Sequence, residues 1–165
     1  EMTYTDGSGR SEQMPQMLDC WRYKGTETLV QRRKLVEKYT EVISADLCEM
    51  NLVSNVTGYV PATPFLDYPV AKPSELADIF IPEEDGGILK KTGVVDVFYN
   101  LRGTDEASFC GGEFIVIRCE NEKMWENYNC EGAEYIITAF GTVLLKFLTN
   151  WSNTPTASTE GIALS

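Results

Sequence analysis

The sequence predicts a mainly β chain, an antiparallel meander closed into a barrel, with a β-sandwich as the alternative and a possible helix near residues 28–44. Three observations predict it. Apolar, β-branched and aromatic runs recur after residue 86 with short turns between them. No helical pattern separates those runs, so the strand–helix alternation of a parallel sheet is not indicated. The 165 residues are 43% apolar and 11% aromatic, which fills one core and excludes intrinsic disorder.

Along the chain, residues 1–16 read as a flexible arm, 17–151 as one β-rich domain, and 152–165 as a flexible tail rich in Ser and Thr. Between 28 and 44, Leu29, Leu35, Val36, Tyr39, Val42 and Ile43 recur at near-helical spacing. Val30, Val36 and Val42 also share one parity, which keeps a strand open. Arg32-Arg33-Lys34 reads as a solvated face or, in so acidic a chain, an anion contact. Residues 59–85 hold five of the seven prolines. They predict a stiffened connection that packs on the core through Tyr59, Phe65, Leu66 and Tyr68, with a short helical turn at 74–77 after Pro73. Strands are expected at 94–99, 114–119, 135–138 and 142–148, the last two separated by Gly141.

Charge and missing residue types narrow the chemistry. Fourteen basic and 25 acidic residues give a net charge of −11, which excludes polyanion binding in general. Residues 1–50 carry 7 bases and 9 acids, so the excess acidity lies in the β-rich part. Histidine is absent. No Ser-His-Asp or Cys-His couple can form within the chain, and acid–base work falls to a perturbed Asp, Glu, Cys, Tyr or Lys.

The five cysteines, Cys20, Cys48, Cys110, Cys119 and Cys130, contain no C-x-x-C pair. Two disulfides and one odd thiol is the simplest accounting in an oxidising compartment. Sequons at Asn55 and Asn150 make both asparagines glycosylation candidates. Together these predict a secreted or lumenal glycoprotein. No apolar run is long enough to span a bilayer.

Trp21-Arg22-Tyr23-Lys24-Gly25 resembles the first-strand Gly-x-Trp of the lipocalins, with Asp19 where the glycine would stand. The resemblance covers about five residues and implies a lipocalin-like barrel whose Trp closes one end. Glu83-Glu84-Asp85-Gly86-Gly87 reads as a solvated acidic turn rather than a calcium loop. Gly111-Gly112 precedes a strand, so it offers no helix N-terminus to a phosphate, and no metal or cofactor is indicated.

The functional expectation is a non-enzymatic barrel that binds a small apolar ligand such as a lipid or pigment. Trp21, Tyr23 and Tyr99 would be its cavity aromatics, and Arg102 a polar anchor near its mouth. The alternative is an extracellular sandwich that binds a protein partner. A third reading is an enzyme using carboxylate, Tyr or Cys chemistry.

Overall fold

A computed structural model describes residues 2–5, 10–14, 18–39, 44–103, 113–118, 134–137, 142–147 and 158–163. The helix in the 28–44 region is α1, Thr26–Val36. Gly25 precedes it at φ 118°, Glu27 sits in its first turn and Arg33 and Lys34 in its last, where each charge opposes the helix dipole. A second helix, α2, spans Ser44–Thr57. After Pro73 a turn of tighter helix leads into α3, Leu76–Ile79, the proline occupying a position whose N–H needs no partner.

The strands are β1 (Met2–Thr5), β2 (Ser11–Met14), β3 (Val60–Pro61), β4 (Val70–Ala71), β5 (Val94–Gly103), β6 (Glu113–Arg118), β7 (Glu134–Ile137), β8 (Thr142–Phe147) and β9 (Ser158–Ala163). They form one sheet in the order β2-β1-β5-β9-β6-β8-β7, with β3 and β4 also pairing with β5. The pairs β3–β5, β4–β5 and β6–β9 are parallel, and the others antiparallel.

The barrel expectation is therefore corrected. The sheet is mixed and open: β2 and β7 end it and do not pair with each other. The sandwich alternative fails with it, since all nine strands among the described residues belong to this sheet. The reason is long-range pairing. β9, from the segment read as a tail, lies between β5 and β6, pairing Val94 with Ala163 on one side and Glu113 with Glu160 on the other. That insertion breaks the sequential meander on which closure depended. Residues 2–5 and 11–14, read as part of an arm, supply β1, paired with β5, and β2 on its outer side.

β5 organises the molecule. Its first eight residues are buried, as expected of a strand covered on both faces. Val94 and Phe98 face a cluster with Leu76, Ile79, Phe80, Leu89 and Phe114. Val95, Val97, Tyr99 and Leu101 face another with Tyr4, Trp21, Val36, Met50 and Tyr68. Phe114 stacks against Phe80 and Phe98 at 5.2 and 5.5 Å between ring centroids. Gly87 is fixed by close approach: a Cβ there would lie 2.1 Å from the Ile81 carbonyl oxygen. No described helix is long and apolar enough to cross a membrane.

A buried ion pair ties α1 to the turn before α3. Arg32, fully buried, bonds both carboxylate oxygens of Glu75 at 2.6 and 2.9 Å. It also donates to the carbonyls of Cys20 (2.6 Å) and Val70 (3.1 Å). Glu75 accepts from the backbone N–H groups of Tyr23 and Lys72 as well. Every lone pair that burial strips of water thus finds a donor, the condition under which a buried charge is tolerated.

Candidate active site

The turn Leu66-Asp67-Tyr68 holds two non-glycine residues in the left-handed region, at φ 62° and 47°. Neither Leu nor Tyr favours it, and Tyr68 precedes Pro69, which independently disfavours helical backbone there. Strain of this kind persists only where the surroundings impose it, and it gathers at functional sites. The surroundings here are explicit. Leu66 and Tyr68 are buried in the core, and Asp96 Oδ1 accepts from the N–H groups of Asp67 (2.8 Å), Tyr68 (3.4 Å) and Val97 (2.8 Å). Arg33 Nη2 donates to the Asp67 carbonyl at 3.0 Å.

Asp96 lies in the middle of β5 and is 1% exposed. Burial pushes its pKa up to about 8, aided by the charge of Asp67 and opposed by the three N–H groups. Asp67 is also raised by burial. The Asp96 carboxyl, the Thr63 hydroxyl and the charges of Lys90 and Arg33 pull it back down. Among the described residues Asp96 Oδ2 has no hydrogen-bond partner. Burial and the neighbouring Asp67 charge both favour the protonated form of Asp96.

This raises a stability signature with a defined sign. Between about pH 4 and about 8 the folded protein keeps a proton on Asp96 that the unfolded chain releases. The resulting stability is complete below the unfolded value and is lost as pH rises through the folded one. Each unit of such a shift is about 1.4 kcal/mol. The chain has no histidine to add to that slope. Wild type should lose several kcal/mol between pH 5 and 8.5 by urea unfolding, on the order of what the shift implies. Asp96→Asn should flatten that slope; an unchanged slope would show that Asp96 ionises normally.

Asp67 lines a cavity of about 530 Å³. One wall is a single face of α1: Thr26, Leu29, Val30, Arg33 and Lys34, spaced as a helix requires. The opposite walls come from Ala62, Thr63, Pro69 and Val70, and from Glu83, Ile88, Leu89, Lys90, Lys91 and Val94. The lining is mostly apolar, while Arg33, Lys34, Lys90 and Lys91 bring four cations to a chain of net charge −11. A concave apolar site with a few convergent polar groups and a perturbed carboxyl is what a small-molecule reaction site needs. Among the described residues no cluster of side chains suits a metal ion.

The family model of the oxidoreductase DRL catalytic domain matches residues 9–137. The chain belongs to the oxidoreductase DRL catalytic-domain family. No curated protein and no solved structure matches it. The matched stretch contains every residue of the cavity and both aspartates, so the site of this DRL-family chain lies inside its catalytic domain.

Membership corrects the functional expectation. A catalytic oxidoreductase domain conflicts with a non-enzymatic lipocalin-like barrel for apolar ligands, and with a sandwich that only docks proteins. The cavity role expected of Trp21, Tyr23 and Tyr99 depended on a closed barrel, and the sheet is open. Trp21 is core, and Tyr99 packs with Tyr4 and Tyr68, with Arg33 over its ring. Tyr23 is half-buried and donates its hydroxyl to the Gly86 carbonyl. Arg102 is half-buried on β5 opposite Thr3. None of the four lines the cavity.

The secreted-glycoprotein reading also finds no support in fold or family. Asn55 is exposed, but it sits in α2 with the Thr57 hydroxyl bonded to the Val53 carbonyl; Asn150 lies outside the described residues. Cys20 and Cys48 are free thiols, the first buried with its pKa raised by burial, the second exposed. Cys110, Cys119 and Cys130 lie outside the described residues.

Sequence reasoning split Arg32-Arg33-Lys34 between a solvated face and an anion contact. The structure divides the run, burying Arg32 against Glu75 and placing Arg33 and Lys34 on the cavity. It missed Asp67 and Asp96 altogether. Asp96 had a legible signal, an acid inside the apolar run Val94-Val95-Asp96-Val97-Phe98. A local conflict of that sort marks a functional or strained site.

Proposed function

We propose that this chain catalyses a redox reaction on a small substrate held in the cavity between α1 and the 62–70 and 83–94 segments. Asp67 exchanges the proton that accompanies the electrons, and Asp96 is the acid behind it. Reduction of a polar double bond by a hydride carrier leaves negative charge on the substrate, which a neighbouring acid neutralises. Oxidation runs the same proton back. The two carboxyls suit either direction, because burial raises the pKa of both, that of Asp96 to about 8. The observation that carries this reading is the strained Leu66-Asp67-Tyr68 turn, which costs stability to set a titratable side chain on the cavity wall.

Its test is turnover of a redox substrate, found by screening carbonyl and quinone compounds with reduced nicotinamide or flavin donors. Wild type is compared with Asp67→Asn. Loss of turnover in a folded variant supports the assignment, and full turnover removes Asp67 from the reaction.

A further inference from the structure

Among the described residues, ion pairs join Arg32 and Lys72 to Glu75, and Arg118 to Asp85; none involves Arg33, Lys34, Lys90 or Lys91. These four come from two separate segments, the last turn of α1 and the stretch before β5, and converge on one cavity. Four cations gathered from two segments around one hollow, against the two lining carboxylates Asp67 and Glu83, make a local positive excess in a chain whose net charge is −11. The same lining includes the apolar Leu29, Val30, Val70, Ile88, Leu89 and Val94.

The arrangement has two chemically distinct parts, and we propose that each binds one part of the substrate. The substrate is an amphiphilic anion, with its apolar body against Leu29, Ile88 and Leu89 and a phosphate or carboxylate head among Arg33, Lys34, Lys90 and Lys91. This rests on the reading of the cavity as the reaction site and names the class of molecule that enters it. Arg33 can donate through its guanidinium fork, although Nη2 is engaged by the Asp67 carbonyl, and the lysines add point charges. The head also faces two acids of the lining, Asp67 and Glu83. Lys90 and Arg33 pull the Asp67 pKa down and an arriving anion offsets them, so binding and proton uptake at Asp67 are linked.

The class is tested with ligands that differ only in their heads. N-phenyl-1-naphthylamine, a neutral dye that brightens in apolar cavities, reports occupancy of the full chain. Decyl phosphate, decanoate and decanol then compete for it. Decyl phosphate and decanoate should displace the dye at least tenfold more strongly than decanol, and the advantage should shrink at high salt. The order of the two anions tells phosphate from carboxylate. In the Lys90→Ala/Lys91→Ala double variant, whose exposed side chains leave the core untouched, the anions should lose about tenfold while decanol is unchanged. Leu29→Trp, which fills the cavity, should abolish displaceable dye binding.

Equal displacement by all three competitors overturns the anion assignment, as does a double variant indistinguishable from wild type. Dye binding that survives Leu29→Trp places the ligand elsewhere and overturns it too. Because these readouts need no turnover, failure here is separable from failure of Asp67→Asn to abolish catalysis.

Discussion

Asp67→Asn is expected to lower kcat by about 10²–10⁴-fold, the range that a positioned acid or base contributes, while the protein stays folded. The substitution preserves shape and leaves the backbone bonds that seat the turn. The residue-67 N–H still reaches Asp96 Oδ1, and its carbonyl still accepts from Arg33. What disappears is the titratable proton on the cavity wall. With the neighbouring charge gone, Asp96 loses one of the two causes that raise its pKa. Asp67→Glu keeps the acid but displaces it along the wall, so it should retain more activity than Asp67→Asn and less than wild type. The checks are steady-state kinetics and thermal unfolding on the same samples. Loss of activity with an unchanged Tm assigns Asp67 to the chemistry, whereas a matching loss of Tm would make it a support for the turn.

Arg32→Ala is expected to have the largest effect on stability, about 3–5 kcal/mol, as for one partner removed from a buried pair. Glu75 would keep the N–H groups of Tyr23 and Lys72, but its charge would remain in the core. The Lys72 ammonium, 3.9 Å from Glu75 Oε1 and partly exposed, compensates little. The carbonyls of Cys20 and Val70 would lose their donor as well. For a chain of this size each kcal/mol corresponds to roughly 2–4 °C in Tm, so calorimetry should show a drop of about ten degrees. Arg32→Met with Glu75→Leu, which removes both charges and fills the space, should recover most of that loss. If the single variant were neutral, the pair would not be the tie between α1 and the α3 turn described above.

The strands at 94–103, 113–118, 134–137 and 142–147 were legible because each is a local run of β-branched and aromatic residues. How they pair was not. Nothing in the composition of Ser158-Thr159-Glu160-Gly161-Ile162-Ala163 indicates a strand between β5 and β6, since its place is set by partners more than forty residues earlier. α2 was hidden for a related reason: Ser44–Thr57 mixes Val, Asn, Ser and Thr, whose helix propensities are weak, so packing of Met50 into the core fixes what local preference does not.

The site was less legible than the strands. The proline-rich 59–85 connection packs on the core through Tyr59, Leu66 and Tyr68 as expected, while Phe65 is exposed, and nothing local says that Leu66 and Tyr68 adopt left-handed backbone. Asp96 twenty-nine residues downstream anchors them there. Arg33 and Lys34 were legible as charge but not as cavity lining, because their counterparts Lys90 and Lys91 are far away in sequence. The missing histidine was informative in another way. It favoured a binder when read as the lack of a catalytic residue, but it also meant that any acid–base chemistry had to use a shifted carboxyl. The Asp67–Asp96 pair supplies one.

The most direct test of that pair is a pH titration of carbon-13 carboxyl NMR signals in aspartate-labelled protein. One aspartate should titrate near pH 8, vanish in Asp96→Asn, and move to lower pH in Asp67→Asn. A spectrum in which every aspartate has finished titrating by pH 6 would contradict the account.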